Sequence, residues 1–327
     1  MLDTARWHRT HGSSARSSAL EEQAIEKRDD RLRLLLVCAH PAIDVAVRTP
    51  LMLQTVLGLE AARIARAFLV TPAAMSQRLV RAKSKIRDAG IPFEEPEDRA
   101  ERMHAVREAI YAAFAVGHDE DGSESLAEEA LDLARLVTEL APDDAESLGL
   151  YALLRLSHAR HGARARADGA FVALTEQDVT KWDRAAILEA NAVLLRAASH
   201  RVPGPFQLEA AIQSAHAQRL FSGQTPWNAI ELLYASLNAS WPTVASLVAH
   251  AAVLVEIGRV AEADALLRDL DPAHVEGYGP HWVVLAHVRR HQGIEAAARE
   301  ASTRAKALAT STAVRAFLER TLAADEG

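Results

Sequence analysis

The sequence predicts an all-α protein: a helix-turn-helix domain followed by a tetratricopeptide-like helical-repeat domain. Three observations indicate this. Aromatic residues make up only 5% of the chain and glycine and proline are few, whereas strands favour aromatic and β-branched side chains. Residues 61–89 contain two short helical patterns joined by a turn. From about residue 100 onward, the sequence is a series of amphipathic segments of helical length.

The first predicted elements precede the helix-turn-helix. Residues 1–30 are polar and weakly periodic, so we predict a mobile or loosely helical lead-in, either a disordered segment or the remnant of a preceding domain. Arg31–His40 is a short apolar helix, and a second helix extends from about Ile43 or Val45 to Leu57. Pro50 interrupts this second pattern because proline lacks an amide hydrogen and clashes with the preceding turn. We therefore expect a kink there, or a later helix start.

The third and fourth predicted helices cover residues 59–68 and 71–89. Thr71 is a favourable N-cap and Pro72 a favourable first helical residue, so the start of the fourth helix is well specified. Apolar residues recur on one side of this helix, which predicts one buried stripe. That stripe consists of Met75, Leu79, Ala82 and Ile86.

The charge is divided unevenly along the chain. Seven Lys/Arg and no acidic residue lie between Ala61 and Arg87. Residues 1–93 carry 15 basic and 9 acidic side chains, a net +6, while residues 94–327 carry 22 and 35, a net −13. A basic module beside an acidic one indicates nucleic-acid binding by the first. The alternative is a solvated arginine-rich helix face with no partner.

The C-terminal part is predicted to consist of stacked helical hairpins. Pro92 and Pro96, among acidic residues, indicate a linker, so we place the helix-turn-helix domain at 31–93 and the repeat domain at 94–327. Two segments correspond at a spacing of 35 residues, close to the ~34-residue tetratricopeptide period. The matching positions are Leu247, Ala251, Gly258, Ala263 and Leu270 with Trp282, Ala286, Gly293, Ala298 and Ala305.

Three segments in order carry a resemblance to a known family. They are ARIARAFLVTPAAMSQRLVRAKSKIRDAGIPF (62–93), LTEQDVTKWDRAAI (174–187) and GPFQLEAAIQSAHA (204–217). The first resembles region 4 of the extracytoplasmic-function sigma factors of bacterial RNA polymerase. All three together resemble the subfamily with a C-terminal helical-repeat extension. The resemblance extends from about Asp29 to the C-terminus.

This resemblance implies a DNA-binding role in transcription initiation. The helix from Thr71 would enter the major groove of the −35 promoter element, with Ala73 and Ala74 at its N-terminal tip. Arginine can bind guanine and glutamine adenine through two acceptors, whereas lysine mainly neutralises phosphate. By position, Gln77, Arg78 and Arg81 would face bases and phosphates, and Lys85 and Arg87 would lie near the backbone. The implied protein partner of this region is the β flap of the RNA polymerase core.

Two departures from the family pattern bear on this role. Such sigma factors have an all-helical region 2 before region 4, whereas fewer than 30 residues precede the match here. We expect either a truncated start or a degenerate member that cannot open a promoter by itself. Arg63 replaces a usual acidic residue, which adds charge attraction but could remove an orienting contact.

The remaining patterns favour a non-enzymatic, cytoplasmic protein without cofactor or metal. The single Cys38 excludes an internal disulfide and a cysteine zinc site. No apolar run reaches the roughly 18 residues of a membrane span. His287 and His291 lie four residues apart but lack the glutamate of a zinc-protease motif, so surface histidines are favoured over a metal site. The carboxylates in TEQDVTKWDR (174–184) are interpreted as caps, with Asp178 as an N-cap.

Two functions follow from these patterns. The first is promoter recognition, with the helical repeats as a regulatory module for an unknown protein partner. The rival is a helical-repeat interaction scaffold whose helix-turn-helix is vestigial, since stacked helix pairs form a concave surface suited to peptides or helices. The apparent lack of region 2 is the main argument for the rival.

Overall fold

The computed structural model describes residues 30–68, 70–94, 96–119, 124–166, 168–309 and 312–324. These residues form helices and contain no strand beyond an isolated antiparallel bridge between Ala165 and Phe171. The predicted all-α class is therefore confirmed. The predicted lead-in falls outside the described residues except at its last position, Asp30, which is helical. None of the described helices is both long and apolar enough to cross a lipid bilayer.

The chain divides into two compact units, Met1–Pro142 and Asp143–Gly327. In the first unit the described helices are α1 (30–38), α2 (Val45–Val56), α3 (Ala61–Ala67), α4 (Pro72–Asp88), α5 (Arg99–Asp119) and α6 (Glu124–Leu140). In the second unit they are α7 (Ala145–His158), α8 (Arg184–Ser199), α9 (Pro205–Ala217), α10 (Arg219–Ser222), α11 (Trp227–Ser240), α12 (Val244–Glu256), α13 (Val260–Arg268), α14 (Pro272–Val275), α15 (Gly279–His291), α16 (Glu295–Leu308) and α17 (Thr312–Ala324).

The division between the units differs from the predicted boundary at residue 93. Helices α5 and α6 belong to the first unit because their apolar sides are buried there. Val106 and Ile110 of α5 are fully buried, as is Leu133 of α6. The Thr49 hydroxyl of α2 donates a hydrogen bond of 2.8 Å to the carbonyl oxygen of Ala109. The Pro92–Pro96 segment is thus a connection inside the first unit.

Helix α2 begins at Val45 in spite of Pro50, so a later start near Thr49 is wrong. The Asp44 side chain accepts a hydrogen bond of 2.9 Å from the Ala46 amide and caps the first turn. Beyond the proline, Leu51, Met52 and Leu53 are all buried. The cap and this burial stabilise the helix on both sides of the missing donor.

In the second unit, the two segments of the predicted internal repeat adopt the same form. Helices α12 and α13 are joined at Gly258, and α15 and α16 at Gly293. Both glycines have positive φ angles, 80° and 73°, which residues with a side chain rarely adopt. Ala263 and Ala298, at equivalent positions in the second helix of each pair, are buried. Each copy is therefore a pair of helices that are joined by a glycine turn and packed through small residues.

Candidate nucleic-acid interface

Helix α4 is held by its cap and its buried stripe. Residues 68–71 connect it to α3, and Thr71 Oγ1 accepts a hydrogen bond of 3.2 Å from the Ala74 amide. Pro72 is the first helical residue, as predicted. Met75, Leu79 and Ala82 are buried and Ile86 is half-buried, which supports the predicted stripe. One side of α4 is therefore fixed in the core, and the opposite side is presented outward.

The predicted DNA-contacting residues lie on the outer surface of α4. All of them are exposed except Ala74, which is half-buried. They are Ala73, Ala74, Gln77, Arg78, Arg81, Lys85 and Arg87.

Three of these residues are brought together at a cleft between α4 and α2. Arg78, Arg81 and Lys85 line it from α4, at positions i, i+3 and i+7 on one flank of the helix. The cleft has a volume of about 420 Å³. Its opposite wall is the beginning of α2, formed by Ile43, Asp44, Ala46 and Val47.

Sequence reasoning missed this second wall of the cleft. Nothing in the pattern of α2 indicates that its first turn faces the cationic flank of α4. The one available signal is Asp44, whose position before an apolar run is typical of an N-cap and therefore of a helix start close to residue 45.

Arg87 is not part of the cleft. At about 100° per residue, it lies roughly 200° around the helix axis from Lys85, on the other flank. Its guanidinium donates a hydrogen bond of 3.4 Å to Ser84 Oγ, and this hydroxyl donates a hydrogen bond of 3.0 Å to the Asp88 carboxylate. Lys85 and Arg87, which are both predicted to lie near the DNA backbone, therefore project from different flanks of α4.

The three cleft cations are not paired with any carboxylate that the structure describes. Arg78, Arg81 and Lys85 form no ion pair with any residue that the structure describes. By contrast, Arg63 of α3 forms an ion pair with Glu129 of α6, whose side chain is only 12% exposed. Burial raises the pKa of Glu129, and the nearby Arg63 charge opposes that shift. Arg63 therefore serves to hold α3 against α6, and its charge is compensated within the unit.

Cys38 is a buried thiol beneath this surface. Burial raises its pKa to about 11, against the opposing effects of a 3.3 Å hydrogen bond with Thr55 and of the Lys83 charge. The thiol is therefore protonated at neutral pH and unsuited to nucleophilic chemistry.

Two carboxylates of residues 174–184, those of Asp178 and Asp183, cap helical turns in the second unit. Asp178 accepts hydrogen bonds from the amide and hydroxyl of Thr180, at 3.0 and 2.7 Å, and these lower its pKa. Asp183 accepts 2.9 Å from the Ala186 amide at the start of α8. The predicted capping role of Asp178 is confirmed. Among the described residues, no three His, Cys, Asp or Glu side chains converge as metal ligands.

Comparison with known proteins identifies relatives without an assigned activity. Residues 102–198 match a family of unknown function (DUF6596). The uncharacterized protein R00370 of Rhizobium meliloti (strain 1021) is 40% identical over 304 residues, which is 90% of this chain and 71% of that protein. No solved structure matches the chain.

Proposed function

The chain belongs to the family of this rhizobial protein, and we propose that it is a DNA-binding transcription-initiation protein of the extracytoplasmic-function sigma type. In this proposal the pair α3 and α4 is the helix-turn-helix, and α4 lies in the major groove of the −35 element. It acts by binding and not by catalysis.

The observation that carries the proposal is the set of uncompensated cations on α4. Arg78, Arg81 and Lys85 are exposed, lie on one flank, and form no ion pair with a described residue. Cations in this state release counterions when they meet phosphates, which supplies sequence-independent affinity. Because the other side of α4 is buried, the cations are presented from a fixed helix.

Sequence choice in this proposal comes from the N-terminal half of α4. Gln77 has the two hydrogen-bonding atoms that match adenine, and the Arg78 and Arg81 guanidinium groups match guanine. Ala73 and Ala74 at the tip allow close approach to the base edges. Lys85 and Arg87 contact phosphates on two sides of the helix, which fits their different flanks.

The remaining parts of the proposal rest on the family resemblance. The first unit also contacts the β flap of RNA polymerase, and the tetratricopeptide-like helix pairs of the second unit receive a regulatory protein partner. The two glycine-turned pairs with buried alanines support that assignment. This role requires a cytoplasmic location, where promoter and polymerase meet.

Salt-dependent DNA binding tests the proposal. Fluorescence anisotropy with a labelled random-sequence duplex gives the slope of log affinity against log salt. On a random-sequence duplex, where no preferred base is available, all three cations would face phosphates. Replacing Arg78, Arg81 and Lys85 together by alanine should therefore lower the slope magnitude by about 2.7, at roughly 0.9 per lost phosphate contact.

The matched control for this measurement is Arg299→Ala. Arg299 is exposed on α16 and has no ion pair with a described residue. Its replacement should leave the slope unchanged. A triple variant that binds DNA like the wild type at every salt concentration would refute the assignment of this face.

A second candidate function is the interaction scaffold, which one specific observation favours. Leu188 and Leu195 of α8 are 51% and 73% exposed and lie seven residues apart on one face of the helix. Exposed apolar side chains of this kind suit a partner helix. If the triple variant retained the cellular role while Leu188→Asp with Leu195→Asp lost it, the scaffold would be the better description.

A further inference from the structure

A second cluster of cations lies in the second unit. Arg160 follows α7 and is only 8% exposed. Arg219 begins α10, and the indole ring of Trp182 is buried beside both. The guanidinium carbons of Arg160 and Arg219 lie 5.9 and 5.1 Å from the centre of this ring. Both guanidinium groups thus lie within about 6 Å of the centre of the same indole ring.

The two guanidinium groups differ in how their donors are used. Arg219 donates to three carbonyl oxygens: those of Leu174, Thr175 and Gln177, at 3.0, 2.7 and 2.5 Å. Arg160 donates from Nη2 to Gln213 Oε1 at 2.5 Å. Its Nη1 is buried and has no hydrogen-bond partner among the described residues.

The surroundings of Arg160 disfavour its positive charge. Burial, together with the charges of Arg164 and Arg219, lowers the pKa of Arg160 to about 10, so it stays protonated at neutral pH. The same environment lowers the pKa of His216 to about 4, and burial is the main cause. Arg160 forms no ion pair with a described carboxylate. A buried cation therefore lies among like charges.

A buried charge with an unused donor is unfavourable unless an acceptor completes it. The Trp182 ring face attracts the cation but does not supply an acceptor in the guanidinium plane. A negatively charged oxygen supplies both the acceptor and the missing charge, and guanidinium binds such groups strongly.

We propose that Arg160 Nη1 marks a binding site for a small oxyanion of the phosphate or carboxylate class. Arg160 contacts the anion directly, and the Trp182 ring packs beside its guanidinium group. Arg219 contributes positive charge, while its own donors remain on the carbonyl oxygens of residues 174–177. The site is independent of the DNA-binding proposal because it lies wholly in the second unit.

Thermal unfolding of the full chain in sodium phosphate, sodium acetate and sodium chloride at equal ionic strength tests the site, because a ligand that binds only the folded state raises the unfolding temperature. Phosphate, acetate or both should stabilise the wild type more than chloride. Because phosphate also stabilises folded proteins by exclusion from their surface, the class is assigned by the anion whose stabilising effect is smaller in Arg160→Lys than in the wild type.

Two variants and one control complete the test. Arg160→Lys keeps the charge but loses the planar fork, so binding of the stabilising anion by titration calorimetry should weaken about tenfold or more. Arg160→Gln should abolish binding, and Arg299→Gln should bind like the wild type. If Arg160→Gln fails to fold, the lysine variant and the wild type decide.

Three results would overturn the proposal: equal responses of the wild type to all three salts, equal anion affinity of Arg160→Lys and the wild type, or a crystal structure grown in the stabilising anion with only a water molecule at Nη1.

Discussion

The packing of α7 against α9 makes a quantitative prediction at Gly149. A Cβ atom there would lie 2.7 Å from Gln207 Cγ, 2.8 Å from its backbone nitrogen and 3.0 Å from its Cα. Carbon atoms in contact are normally about 3.5–4.0 Å apart. Two of the three obstructing atoms are backbone, so a rotamer change cannot relieve the clash. Gly149→Ala must therefore push α9 away from α7.

The expected cost combines three effects. Overpacking a core costs about 1–3 kcal/mol, while alanine in a helix interior returns about 1 kcal/mol relative to glycine. The displacement also weakens the cap of α9, because the Glu146 carboxylate accepts hydrogen bonds of 3.1 and 3.2 Å from the Phe206 and Gln207 amides. A charged hydrogen bond contributes about 1.5–3 kcal/mol, of which a partial loss is expected. The net loss of unfolding free energy is about 2–3 kcal/mol.

Thermal unfolding followed by circular dichroism measures this loss. At roughly 2–4 °C per kcal/mol for a unit of this size, Gly149→Ala should lower the unfolding temperature by about 4–12 °C. Gly162→Ala is the matched control, because the nearest atom to its new Cβ, the Lys181 carbonyl oxygen, is 3.8 Å away. If the two variants unfold at the same temperature, α7 and α9 do not cross as closely as described.

Three further predictions concern stability and titration. Leu79→Ala should lower the unfolding free energy by about 3 kcal/mol. The control is Val80→Ala, at the exposed neighbouring residue, which should change the unfolding free energy by less than about 0.5 kcal/mol. Equal urea midpoints for the two variants would contradict the buried stripe. Cys38 should resist iodoacetamide at about pH 8 and react once urea unfolds the chain, and its raised pKa should cost stability as the pH rises from about 8.5 towards 11. His216 has a lowered pKa, so its contribution to the stability of the folded state is fully present above about pH 6.5 and is lost as the pH falls towards 4. His216→Gln should therefore lose less stability than the wild type between those pH values, and parallel losses would exclude a buried neutral histidine.

Local signals predicted the local parts of the fold well. The start of α4 follows from Thr71 and Pro72, because a cap and a first-turn proline act within three residues. The unit boundary was not predictable in this way. The apolar face of α5 has the same periodicity whether it packs on a neighbouring repeat or on α2, and the Thr49–Ala109 hydrogen bond joins residues 60 positions apart.

The candidate site shows the same limit. Arg63 and Arg78 are identical in type and lie in one basic run, yet the first is compensated by Glu129 and the second is not. Arg160 belongs to a stretch that reads as a basic surface turn, SHARHGARAR (157–166), although the fold buries it. Composition counts charges, but only tertiary packing decides which of them have a partner.

Under the proposed function, this distinction would allow a chain with a net charge of −7 to bind a polyanion. At physiological ionic strength the Debye length is about 8 Å, so charges farther than that from the DNA contribute little. Arg78 and Lys85 are separated by seven residues, about 10 Å along α4, and Arg81 lies between them. DNA that touches this flank therefore meets Arg78, Arg81 and Lys85 together with the Asp44 carboxylate, a local net charge of +2, while acidic residues farther from the DNA than the Debye length are screened. Lowering the salt removes that screening, so repulsion by the acidic residues then opposes the gain from the cleft. The plot of log affinity against log salt should flatten at its low-salt end, and a plot that stays straight would show that the acidic excess is too distant to act even there.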